Sequence, residues 1–138
     1  MTVGVQVLGL REFSAGLRRV DRDLSKQLRQ VNKEAAEDVA RYARAKASAL
    51  GGVQNKAAGS LRPGGTQRGG YVKLGGNRFP FALGAEFGSI RFKQFPAWRG
   101  SGADAGYFLY PALRKRTQHL VEKYGDEIER LSRHAFPD

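Results

Sequence analysis

One carboxylate stands alone in the middle of this chain. Residues 82–89 read ALGAEFGS, and Glu86 is the only acidic residue between Leu50 and Ala103 in a 138-residue chain of net charge +11. A carboxyl group among apolar and glycine neighbours can act as a general acid or base. It can also be half of an ion pair, because an isolated buried charge is costly. No partner carboxylate or base lies near it in sequence, so pairing is the stronger expectation: Glu86 with Arg91 across a tight turn, or with an arginine of a neighbouring subunit. The two histidines, His119 and His134, are fifteen residues apart. Neither has a second ligand at metal spacing, and no HExxH is present. No GxSxG and no plausible serine–histidine–carboxylate set can be nominated. The absence of cysteine removes thiolate metal sites, disulfides and cysteine nucleophiles together, and fits a reducing compartment. No catalytic residue, cofactor or metal site is expected.

Two other constellations invite a ligand. The pairs Gly64-Gly65, Gly69-Gly70 and Gly75-Gly76 suggest a phosphate-cradling loop, but GxxxxGK[ST] and its strand–loop–helix context are missing, so a flexible loop is the better reading. Arg62, Arg68, Lys73, Arg78, Arg91, Lys93 and Arg99 are interleaved with Tyr71, Phe79, Phe92 and Trp98. Basic residues among aromatics can hold nucleic acid by charge and stacking; equally, Phe79, Phe81, Phe87 and Phe92 can be the core of a small sheet. Charge is unevenly spread. Residues 1–49 hold ten Lys/Arg and six Asp/Glu, residues 50–103 eight and one, and residues 104–138 six and six. A basic, glycine-rich middle between charge-mixed ends suggests loops facing a polyanion, or solubility alone.

The elements that must position these residues follow from periodicity. Length and a hydrophobic content of 41% fit one domain with a modest core. Val3, Val5 and Val7 alternate with Gly4, Gln6 and Leu8, predicting a short strand within 1–9. From Leu10 to Tyr42 apolar residues recur at steps of three and four, predicting an amphipathic helix over 10–50 that stops at Gly51-Gly52. Unbroken, it would span roughly 60 Å at 1.5 Å per residue, so it bends, breaks near Asn32, or projects onto another subunit. Residues 51–78 carry nine glycines and read as a basic loop, with a short strand at Tyr71–Leu74 as its one candidate element. Phe79–Phe87 and Ile90–Phe95 resemble a β-hairpin turning at Gly88-Ser89, so 79–98 is expected to be a hairpin and 99–106 a loop. Pro111 suits the first turn of a final helix over 107–134. The class is α+β: two helices on a small antiparallel sheet, with long Gly-rich basic loops. No basic n-region precedes MTVGVQVLGL, so no signal peptide is expected, and no uncharged apolar run reaches membrane-spanning length.

Three short motifs, in order, carry a resemblance. They are Gly59-Ser60-Leu61-Arg62, Glu86-Phe87-Gly88, and Phe108-Leu109-Tyr110-Pro111-Ala112-Leu113. With the long N-terminal helix before them, they make the chain resemble the tail-completion or neck proteins of long-tailed, lambda-type phages, over roughly residues 8–116. Pro63 and the glycine-rich stretch after Arg62 depart from the family's strand there, and 99–106 is longer than in many members. The resemblance implies a structural virion protein, assembled in the host cytoplasm as a ring around the DNA path. Its implied neighbours are head-closure or connector proteins on one side and tail-terminator or tail-tube proteins on the other, with non-specific DNA passage and no membrane. Glu86, Phe87, Arg91, Phe92, Trp98, Tyr110 and Pro111 become subunit-interface candidates. Arg62, Arg68, Lys73 and Arg78 become candidates for facing DNA or the lumen. The alternative is a small basic nucleic-acid-binding protein.

Overall fold

A computed structural model describes residues 2–6, 22–66 and 69–135. Strand β1 (Thr2–Gln6) is followed by helix α1 (Arg22–Leu50), helix α2 (Gly52–Ala57), a 3₁₀ turn (Ala58–Ser60), strands β2 (Arg62–Thr66) and β3 (Gly69–Gly75), and helices α3 (Ala82–Phe87) and α4 (Leu109–Ala135). The sheet is antiparallel in the order β1-β3-β2. The class is α+β, with two long helices and a three-stranded sheet.

Helix α1 forms because its apolar residues share a stripe. Leu28, Val31, Ala35, Val39, Ala43 and Ala47 are buried, while Lys26, Lys33, Arg41 and Lys46 face water. It runs unbroken through Asn32, so of the three options left open the break is not the one taken; Asn32 is buried and its Nδ2 donates to the Thr66 carbonyl at 2.8 Å. Its 29 residues span about 43 Å. Residues 10–21, predicted to extend the helix, lie outside the described residues. The predicted stop holds: Gly51, at φ 71, donates its N–H to the Ala47 carbonyl at 2.9 Å.

The glycine-rich stretch 51–78 is not a loop. It holds α2, the 3₁₀ turn, β2 and all of β3, so the strand expected at Tyr71–Leu74 is the middle of a longer one. Its glycines serve close approach rather than flexibility. A Cβ on Gly65 would lie 2.5 Å from the Lys33 nitrogen and 2.7 Å from the Arg29 carbonyl oxygen, and one on Gly70 would overlap the Asn32 carbonyl oxygen. The sheet therefore rests on the α1 backbone itself, opposite the small face of Ala35, Ala36 and Ala40. Val72 and Leu74 follow Gly70 on the same face of β3 and are fully buried, and Val5 pairs with Val72.

Helix α1 packs on the sheet through β2 and β3 and also on α4, which has no comparable contact with the sheet. The core lies along α1 and takes Leu109, Leu120, Tyr124 and Leu131 from α4 and Phe108 from just before it. One ion pair ties α1 to α4. Arg116 donates to Asp38 through Nε at 2.7 Å and Nη2 at 2.9 Å, and its guanidinium lies over the Tyr42 ring. The hydrogen bonds and charge of Arg116 hold the Asp38 carboxyl below the usual carboxylate range. A carboxyl whose folded pKa is depressed stabilises the fold above its unfolded pKa and loses that contribution as pH falls. Asp38→Asn is thus expected to cost about 1–2 kcal/mol at pH 7, a bidentate and partly screened pair. The gap between wild type and variant should begin to narrow below about pH 4, where the unfolded carboxyl takes up its proton, and close once the folded carboxyl is protonated too. Urea melts of both proteins at pH 7 and pH 3 check this; a gap unchanged at pH 3 would refute the assignment.

The expected hairpin over 79–98 is also corrected. Residues 82–87 are helical, and 88–106 contain turns but no strand. Alanine and leucine at 82, 83 and 85 favour a helical turn, and Ala82 and Ala85 bury themselves as α3 packs on α2. Gly84 leaves room for the Phe95 ring, which would overlap any side chain there.

Candidate functional site

Glu86 lies at the end of α3 and is completely enclosed. Its partners are backbone amides at the start of α4. Oε1 accepts the N–H of Tyr107 at 3.0 Å and of Tyr110 at 3.2 Å; Oε2 accepts those of Leu109 at 2.7 Å and Phe108 at 3.4 Å. The first N–H groups of a helix have no partner within it and carry its positive dipole end, so a carboxylate satisfies them in number and in sign. Burial pushes the Glu86 carboxyl up from the usual glutamate range, against the four N–H bonds, which favour the charged form. Gly106, at φ 86, makes the approach feasible, because a Cβ there would overlap Oε1.

This overturns the expected ion pair. Arg91 is exposed while Glu86 is sealed, and the acceptor capacity of Glu86 is taken up within its own chain. It offers nothing to an arginine of a neighbouring subunit. Two of the three short motifs, Glu86–Gly88 and Phe108–Leu113, meet in one joint: Glu86 caps the helix that Tyr107-Phe108-Leu109-Tyr110-Pro111 begins. Phe87 packs edge-on against Tyr110 with ring centroids 5.2 Å apart. Gly88, at φ 78, turns the chain away where a side chain would strike the Ala97 carbonyl. Pro111 lies in the first turn of α4, half-buried.

From this joint the loop 88–106 projects, pinned at its base. Arg99 N–H donates to the Phe87 carbonyl at 2.6 Å, Ser89 N–H to Pro96 at 2.9 Å, Gly106 N–H to Arg99 at 2.7 Å, and the Tyr107 hydroxyl to Ala97 at 2.7 Å. Arg99 lies over the Tyr107 ring at 4.2 Å. The outer part exposes Ile90 (88%) and Phe92 (53%) beside Arg91 and Lys93, and Trp98 (54%) is exposed nearer the base. Phe92, offered as sheet core, is therefore a surface residue.

Three of the four basic candidates lie near one another, around Arg62. Arg62 and Lys73 are cross-strand partners, and Arg62 donates to the Gly75 carbonyl at 2.8 Å. Arg62 and Arg78 line a shallow hollow of about 220 Å³ with Asn77 and Phe79. Lys73 lies over the Tyr71 ring on the exposed sheet face, and Arg68 lies outside the described residues. The histidines stay apart: His119 is exposed, and no group of three or more His, Cys, Asp or Glu able to hold a metal occurs among the described residues. No described helix is long and apolar enough to cross a membrane.

Sequence reading missed a third set of cations. Lys26, Arg29 and Lys33 stand on one face of α1 and form, with the β2 edge, a cleft of about 420 Å³. Their i, i+3, i+7 spacing was a usable signal, but the polar face of any amphipathic helix looks the same. Comparison with protein-family models, with curated proteins and with solved structures finds no match.

Proposed function

We propose that this chain is a structural protein of the neck or tail joint of a long-tailed phage, acting as a ring of copies around the DNA path. The carrying observation is the pinned loop 88–106, which holds Ile90, Phe92 and Trp98 in water on a firm base. Large apolar side chains held in water on one short loop mark a site where another protein packs. Copies of this chain cover them in the assembled joint, and the head-side connector and the tail-side terminator or tube protein stack above and below. The resemblance carried by Gly59–Arg62, Glu86–Gly88 and Phe108–Leu113 supports the same reading. The latter two motifs also form a single rigid joint at the root of the loop, which suits a part that positions a contact surface.

The triple variant Ile90→Ser, Phe92→Ser, Trp98→Ser should keep its melting temperature within a few degrees, because all three side chains are largely exposed. It should lose self-assembly in native mass spectrometry or, where assembly needs the adjoining ring, incorporation into particles. Absence of the wild-type chain from purified virions would end the neck reading, and so would full incorporation of the triple variant.

A further inference from the structure

We propose that the cleft between the first half of α1 and the edge of the sheet is a binding site for the phosphodiester backbone of duplex DNA. The inference goes beyond the neck reading and stands on different residues. Lys26, Arg29 and Lys33 are exposed on one helix face, and none is in an ion pair among the described residues. Lys26 to Lys33 covers seven residues, about 10 Å of helix axis. That length matches about three phosphates of one strand at ~3.4 Å of duplex axis each. Among the described residues no carboxylate lines the cleft.

The opposite wall is built rather than incidental. Gly65 packs against the Arg29 carbonyl and the Lys33 nitrogen, so the β2 edge meets α1 between two of the cations. Gly64 has no side chain where one would overlap the Tyr71 ring, and this lets the ring lie across β2 and close the cleft. The Lys73 ammonium sits over that ring, 5.2 Å from its centroid. With an ammonium on its face, the ring is poorly placed to stack on a base. Three cations on one side and a phenol on the other suit phosphate oxygens, giving contacts that position a duplex without reading its sequence.

Fluorescence anisotropy of the full chain with a labelled 20-base-pair duplex, over a series of salt concentrations, tests this. Binding should be measurable at low salt, with a log–log salt slope near −2.7, about −0.9 for each of three neutralised phosphates. The variant Lys26→Ala, Arg29→Ala, Lys33→Ala should bring the slope near zero and weaken binding at least tenfold. The loop variant Arg91→Ala, Lys93→Ala, Arg99→Ala should keep the wild-type slope. Circular dichroism confirms folding of both, whose changed residues are all exposed. No binding at low salt would overturn the proposal. So would an unchanged slope in the helix variant, an equal loss in the loop variant, tighter binding of single strands that depends on Tyr71, or inorganic phosphate competing at the concentration of duplex phosphates. A chain that binds in this way yet is absent from virions would sink the neck reading and leave this one standing.

Discussion

Gly70→Ala is expected to lower folding stability by about 3 kcal/mol or more, the upper part of the range for forcing extra volume into a packed interior. The reason is what the new methyl group would meet. Its nearest neighbour is the Asn32 carbonyl oxygen, followed by the Ala36 methyl at 3.4 Å. Neither is the end of a flexible side chain. Relief requires α1 and β3 to separate, which loosens the burial of Val72, Leu74 and Val39 as well. Gly65→Ala meets the backbone at Arg29 and Lys33 and should behave similarly. Gly4→Ala is the control: it lies in β1 with nothing within 4 Å of its Cβ position and should change stability by less than about 0.5 kcal/mol. Thermal melts of the three variants decide the matter. Equal, small effects would mean that the glycines of β2 and β3 are there for flexibility after all.

Glu86→Gln should cost about 2–3 kcal/mol, although it preserves size and shape. Each carboxylate oxygen accepts two backbone N–H bonds. A carboxamide keeps one oxygen and turns an NH₂ group toward the other pair, so buried donors face a donor. The attraction between a negative charge and the helix N-terminus is lost as well, about 0.3–1 kcal/mol in ordinary settings. Relief of the buried charge offsets part of this loss, which keeps the expected figure below the sum of the broken bonds. Hydrogen exchange should show the change first at the amides of residues 107–110, before the distant sheet responds, because the joint opens locally. A variant with wild-type stability and unchanged protection at those amides would refute the capping role. Gly106→Ala should produce a similar fraying through the same oxygen, since its Cβ would displace Oε1.

Much of the framework is legible in residue order because it is set locally. Steps of three and four from Leu24 through Tyr42, and of seven, four, four and three from Leu113 through Leu131, give two long amphipathic helices, and alternation at residues 3–7 gives the first strand. Gly51 stops α1 for a reason that involves only its own φ. Local signals also suffice for the α+β class. They fail for the stretch 51–78, where the glycine content suits mobile loop and close-packed strand equally well. What separates the two is a helix backbone lying against Gly65 and Gly70, which periodicity does not encode. The Gly88-Ser89 pair suits a tight turn and so suggests a hairpin with 79–87 as its first strand, yet the burial of Ala82 and Ala85 as α3 packs on α2 and the space Gly84 leaves for Phe95 favour a helix. The importance of Glu86 was visible as an isolated charge among apolar residues. Its partner was not, because the donors are main-chain amides more than twenty residues away, common to every residue type and exposed only because a helix begins there. The same holds for Lys26, Arg29 and Lys33: the sequence placed them on one polar helix face, and only the arrival of the β2 edge and the Tyr71 ring made part of that face a cleft.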